Sequence, residues 1–128
     1  MSARFSYSVG IRFPSIPAVT VTLRAPDGSR AVPGVQAHID TAADRTVVPL
    51  QLVQQLGLQP VRQTVAHGLG TTPHPVGVYI LDVEIPGIAV ISTRVVSLPN
   101  EHFVLLGREI LNLLRITLDG PNQVVEFH

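Results

Sequence analysis

The residues best placed to do chemistry lie between positions 37 and 49, Ala-His-Ile-Asp-Thr-Ala-Ala-Asp-Arg-Thr-Val-Val-Pro. An apolar approach through Ile39 delivers Asp40 into a run of small side chains, Thr41, Ala42 and Ala43. A second acid, Asp44, comes four positions after Asp40, ahead of the β-branched run Thr46-Val47-Val48. Strand formers on both sides of a tight turn would hold the Asp40 carboxylate at the turn's tip. Small neighbours leave room for a reacting group to approach it, and a carboxylate so placed can take or give a proton.

The rest of the chain must position that turn. Eleven prolines and ten glycines cut the sequence into short pieces, most of them rich in β-branched residues, the pattern of many short strands joined by turns. Residues 18 to 24 alternate as a half-buried strand does. Pro26-Asp27-Gly28-Ser29 is a turn, and Val35 to Ile39 the partner strand that enters Asp40. Leu50, Leu52, Val53 and Leu56 share one helical face, with Pro49 at its start and Gly57 at its end. Val61 to Ala66 and Val76 to Ile85 form a long hairpin around the glycine-bearing segment His67-Gly68-Leu69-Gly70. Pro86-Gly87 turns the chain into a further strand ending at Leu98. Phe103 to Leu106 reads as a buried strand stopping at Gly107, and Ile110, Leu111, Leu113 and Leu114 follow with helical spacing. Arg115 to Leu118 and Gln123 to Phe127 close the chain as a hairpin. The strand–turn–helix units around Asp40 and Gly107 are weakly similar, which hints at an internal duplication, and only the first has an acid in its turn.

Composition narrows the partners. A chain of 128 residues fits one domain, 1–128, with a core that needs no staples. It has 45% apolar and 14% charged residues and a formal net charge of zero, which offers nothing to nucleic acid or an anionic membrane. So few charges fit either a well-filled β core or a surface partly hidden in an oligomer. Cysteine is absent, excluding disulfide and thiolate chemistry. No stretch approaches the roughly 18 apolar residues of a membrane span, and the N-terminus lacks a signal-peptide core, so a cytoplasmic protein is expected. The five histidines, at 38, 67, 74, 102 and 128, show no ligand spacing, so neither a metal nor a cofactor is expected. His38 would share the face of Asp40 in a strand.

Three motifs, in order, resemble the retropepsins, the single-domain aspartic proteases of retroviruses and their bacterial and cellular relatives. Ile39-Asp40-Thr41-Ala42-Ala43-Asp44-Arg45-Thr46 is similar to the family's catalytic turn, with Ala42 where the family usually has glycine. The hairpin bearing Gly68, Leu69 and Gly70 is similar to its flap. Leu105-Leu106-Gly107-Arg108 and the helix after it are similar to its apolar-apolar-Gly-Arg element. The resemblance spans about residues 18 to 120 and implies an all-β, retropepsin-like acid protease barrel or sandwich with a flap hairpin and one or two short helices.

It also implies an activity. Aspartic proteases set two carboxylates against one water, and like charges that close share a single proton. This chain has one acid in a suitable turn, so the second Asp40 must come from another copy in a twofold homodimer. The expected enzyme is an aspartic endopeptidase acting on peptide or protein substrate. Thr41 would hydrogen-bond across the dimer axis, Ala42 and Ala43 would leave room for substrate backbone, and Asp44 would pair with Arg108 beside Gly107. Gly68, Leu69 and Gly70 would close over the peptide. Val47, Val48, Ile80 and Leu106 are candidates for pocket walls or for ordinary core. The alternative, kept open by Ala42, is a catalytically silent peptide-binding or dimerisation module of the same fold.

Overall fold

The computed structural model describes residues 2–8, 14–66 and 73–128. Its strands in chain order are β1 (Ala3–Ser6), β2 (Ala18–Arg24), β3 (Ala31–Ile39) and β4 (Val47–Pro49), then β5 (Arg62–Ala66), β6 (His74–Ile85) and β7 (Ala89–Leu98), then β8 (Val104–Leu106), β9 (Ile116–Asp119) and β10 (Val124–Phe127). Two short helices interrupt them, α1 (Leu50–Gln55) after β4 and α2 (Arg108–Leu111) after β8. Among the described residues no helix is long and apolar enough to cross a membrane.

Six strands close into a barrel in the order β2-β3-β8-β4-β7-β6, and β6 returns to β2. The length of β6 makes the closure possible. Its second half pairs with β2, Glu84 with Thr22 through Asp82 with Arg24. Its first half pairs with β5, Arg62 with Val78 through Ala66 with His74. The other edge of β6 pairs with β7 along nine residues of each strand in a continuous antiparallel ladder from Gly77–Ser97 to Ile85–Ala89. β1 and β9 flank β10 in a separate three-stranded sheet. That sheet plugs the barrel: Val125 and Phe127 join Leu23, Leu81, Leu106 and Ile110 in one buried cluster. The ring of Phe5 from β1 meets that of Phe127 edge-on, centroids 5.9 Å apart.

The sequence dictates most of this. In β2, Val19, Val21 and Leu23 are buried while Thr20 and Arg24 face out, the period-2 pattern that its alternation predicts. In the β2–β3 turn, the Asp27 carboxylate accepts the Ser29 N–H at 2.9 Å and Gly28 takes φ of +76°. α1 begins directly after Pro49, which stands at its N-cap with φ of −54°, and drives Val53 into the core. α2 begins two residues before the apolar spacing suggests, because Gly107 occupies its N-cap and Arg108 and Glu109 form its first turn. β1 has no sequence signal of its own: with only four residues alternating between half-buried and exposed, it becomes a strand by pairing with β10 from Ala3–Phe127 to Ser6–Val124.

Candidate active site

The turn from Asp40 to Thr46 joins β3 to β4, and the two strands flank β8. β3 runs parallel to β8, with Ala37 beside Val104 and Ile39 beside Leu106. β4 lies antiparallel on the other side, Val47 beside Leu105. The turn therefore arches over the end of β8, where Gly107 and α2 begin. The Asp40 N–H extends the ladder by one bond, donating to the Leu106 carbonyl at 3.1 Å.

Asp40 stands at the head of the turn, partly buried. Its Oδ1 accepts the backbone N–H groups of Ala42 at 3.1 Å and Ala43 at 3.2 Å, an arrangement that fixes the carboxylate's orientation. Among the described residues no hydrogen bond reaches Oδ2, which is left for a water or an incoming group. Thr41 and Ala42 beside it are exposed. Among the described non-glycine residues only Gln123 has positive φ, so Ala42 sits in backbone open to any L-residue and its β-carbon adds no strain.

Two side chains from α2 hold the turn. Arg108 donates from Nη1 to the carbonyls of Thr41 and Ala42, each at 2.9 Å, and its N–H donates to the Ala43 carbonyl at 2.9 Å. The expected Asp44–Arg108 pair is therefore corrected: Asp44 is exposed, and the ion pairs among the described residues are Arg4–Glu126, Arg24–Glu84 and His128–Glu126. The guanidinium fork serves carbonyls that a tight turn leaves without backbone partners. Arg108 and the turn still meet, through main chain in place of a carboxylate.

The second holder, Glu109, is a residue that sequence reasoning missed. Its Oε1 accepts the Thr46 N–H at 3.0 Å and the Thr46 hydroxyl at 2.8 Å, and its Oε2 accepts the Thr93 hydroxyl at 2.9 Å. Thr46, fully buried, accepts in turn the Gly107 N–H at 3.1 Å. One carboxylate thus links α2, the end of the turn and β7. Thr46 sits in the turn motif and Glu109 directly follows Gly107-Arg108, a signal that could have paired them. Gly107 itself is dictated by space, since a β-carbon there would lie 2.4 Å from the Arg45 carbonyl carbon.

A cavity of about 430 Å³ opens beside the turn, bounded by Ala42 to Arg45, β5 and the apolar side chains of Val47, Val78 and Val96. Of the proposed wall residues, Val47 lines it. Val48 and Leu106 are fully buried in the core, and Ile80 lines a separate shallow groove on the far side of Arg45. His38 is buried and stacks on Phe103 with centroids 4.5 Å apart. The flap residues Gly68, Leu69 and Gly70 lie outside the described residues.

The chain matches the family model described as aspartyl protease over residues 19–110. No curated protein matches it in sequence. Among solved structures, it is similar to a retropepsin-like aspartic protease from Rickettsia conorii, with TM-score 0.64 at 11% identity, covering 99% of this chain and 91% of that one. It is also similar to the retroviral protease-like domain of Ddi1 from Leishmania major, with TM-score 0.54 at 15% identity over 81% of each chain. The EIAV protease complexed with the inhibitor HBY-793 gives TM-score 0.52 at 21% identity, covering 81% of this chain and 92% of that one. These likenesses establish a retropepsin-like fold, and with the family model covering well over half of the sequence, the chain belongs to the aspartyl protease family.

Proposed function

We propose that residues 1–128 form one retropepsin-like domain that acts, as a homodimer, as an aspartic endopeptidase with Asp40 of each subunit as the catalytic residue. The observation that carries this reading is the Asp40 carboxylate, fixed through Oδ1 by two backbone N–H groups while Oδ2 and its small neighbours stay accessible. The other acids support the need for a second copy. Asp27 and Asp82 lie near the opposite end of β3, which is nine residues long, so roughly 30 Å of strand separates them from Asp40. Glu101 precedes β8, at the end of that strand away from the turn. Asp119 belongs to the terminal sheet, and Glu109 is committed to Thr46 and Thr93.

In the dimer the two Asp40 carboxylates hold one proton between them, because two carboxylates close enough to share a water do not both ionise. The ionised carboxylate removes a proton from a water lying between them, and the water oxygen bonds to the carbonyl carbon of the scissile peptide. The protonated carboxyl gives its proton to the carbonyl oxygen. The resulting gem-diol collapses: one of its hydroxyls gives its proton to the carboxylate that is now ionised, the C–N bond breaks, and the departing nitrogen takes the proton held by the other carboxyl. The products are a carboxyl terminus and an amine, and the dyad again holds one proton. Thr41, exposed beside Asp40, is suited to bond across the twofold axis. Ala42 and Ala43 present backbone to an extended peptide, and Gly68, Leu69 and Gly70 would cover it. Gly107 and Arg108 act through the turn they hold, and Asp44 lies on the cavity side of it.

The test is hydrolysis of a peptide library between about pH 3 and pH 8 by wild type and Asp40→Asn, with the mass of each in solution measured alongside. Cleavage by the wild type that disappears in an Asp40→Asn dimer is the expected result. Equal cleavage by both proteins, or a wild-type dimer that cuts nothing, refutes the endopeptidase.

A further inference from the structure

The cavity beside the catalytic turn has a charge distribution unlike that of the chain as a whole. Its floor is apolar, made by Val47, Val78, Val96 and Leu98. Its polar lining includes two arginines, Arg45 and Arg62, against one acid, Asp44, a local excess of cation in a chain of zero net charge. Both arginines line it, Arg62 from β5 and Arg45 from the turn ahead of β4. Four residues of β5, Arg62, Thr64, Val65 and Ala66, line the cavity, and Arg62, Thr64 and Ala66, two apart, share one face of the strand. Arg45 stands two residues before the floor residue Val47 and lines the cavity with it.

Neither guanidinium is spent on structure. Among the described residues the salt-bridged arginines are Arg4 and Arg24, and Arg30 and Arg108 donate to backbone carbonyls. Arg45 and Arg62 have no acid partner and make no side-chain hydrogen bond there. An arginine has five N–H donors in a planar fork that matches a carboxylate. An apolar floor under an unpaired cationic rim fits one kind of peptide side chain, a short methylene stem ending in a carboxylate.

We propose that this cavity is a specificity pocket for an acidic side chain of the substrate, glutamate above all, with Arg62 and Arg45 as its recognition groups. It rests on the reading of this cleft as the peptide site, and it adds what that site selects. The floor takes the stem and excludes water, and the two arginines take the carboxylate. Asp44, which lines the same cavity without pairing with either arginine, disfavours a second acid.

The test uses Asp40→Asn protein, which keeps the cleft but should not turn peptide over, to retain members of a random octapeptide library at neutral pH and low salt. The expected result is glutamate exceeding glutamine by about fivefold at one position, the scale of a partly exposed ion pair. Arg62→Gln in the same background should reduce the ratio, and Arg45→Gln with Arg62→Gln should bring it to parity while apolar preferences at other positions persist. Equal retention of glutamate and glutamine at every position, an unchanged ratio in the double variant, or no retained peptide overturns the pocket. Wild-type hydrolysis without any glutamate preference would overturn the pocket and leave the endopeptidase standing. Glutamate-selective retention by Asp40→Asn with no wild-type hydrolysis would do the reverse.

Discussion

In a Gly107→Ala protein the new β-carbon would lie 2.4 Å from the Arg45 carbonyl carbon, 2.7 Å from its oxygen and 2.7 Å from the Thr46 nitrogen. Carbon atoms in contact settle at about 3.5–4.0 Å, so the catalytic turn would have to withdraw from α2 by roughly 1 Å. All three neighbours are backbone, and no side chain can swing away. The glycine's own backbone, φ −88° and ψ 176°, is open to alanine, so the cost is steric, with a small offset of about 0.4–1 kcal/mol from a stiffer unfolded chain. Overpacking costs about 1–3 kcal/mol where side chains can adjust. Against fixed backbone the upper end applies, for a net loss of about 2–3 kcal/mol, or roughly 6–15 °C in Tm for a chain of this size. Urea and thermal unfolding should be compared at one protein concentration, since self-association raises apparent stability. Gly120→Ala is the matched control, with nothing within 4 Å of the added carbon and no positive φ. A Gly107→Ala protein within about 0.5 kcal/mol of wild type would refute the close approach of turn and helix.

Other substitutions report on the same scaffold. Glu109→Ala leaves the buried Thr46 N–H without its acceptor and should cost about 2–3 kcal/mol in urea unfolding; a loss below about 0.5 kcal/mol would contradict its linking role. Arg108→Ala should cost about 1 kcal/mol, since water can reach the exposed turn carbonyls it serves, while Asp44→Ala should be near neutral; matching losses from the two would restore the ion pair. The Asp119 carboxyl is held below its ordinary value of 3.8, first by the Asn122 side-chain amide and then by the Asn122 N–H. With the folded value depressed, its contribution is present above pH 3.8 and fades as pH falls through the lower folded value. Asp119→Asn should flatten the acid limb of stability against pH, and an unchanged limb would contradict that.

Much of the fold could be read from the sequence because local chemistry and tertiary demand agree there. β2 emerges from alternation, the β2–β3 turn from Pro26-Asp27-Gly28, and the β5–β6 pair from two β-branched runs around a glycine-bearing segment. β1 could not be read, since its identity as a strand comes from β10, more than a hundred residues away in sequence. The turn at Asp40 was legible for the same reason as β2: small residues between strand formers leave few alternatives. Its supports were only half legible. The motif brings Arg108 to the turn, but opposite charges at Asp44 and Arg108 suggest an ion pair that the geometry does not make, because the turn's bare carbonyls point at the guanidinium first. Glu109 escaped notice because its partners Thr46 and Thr93 lie 63 and 16 residues away. The cavity was equally hidden, since Arg45 and Arg62 come together only when β5 is laid across β6.

The claim on which the proposed chemistry depends is that one water is shared by two Asp40 carboxylates from two chains, and subunit mixing tests it directly. Wild type and Asp40→Asn would be combined in equal amounts, allowed to exchange subunits, and assayed on a cleavable peptide against wild type alone at the same total concentration. If each site needs both carboxylates, random pairing leaves about one quarter of the activity. If each chain works alone with its own Asp40, about one half remains, and that result would contradict the shared dyad.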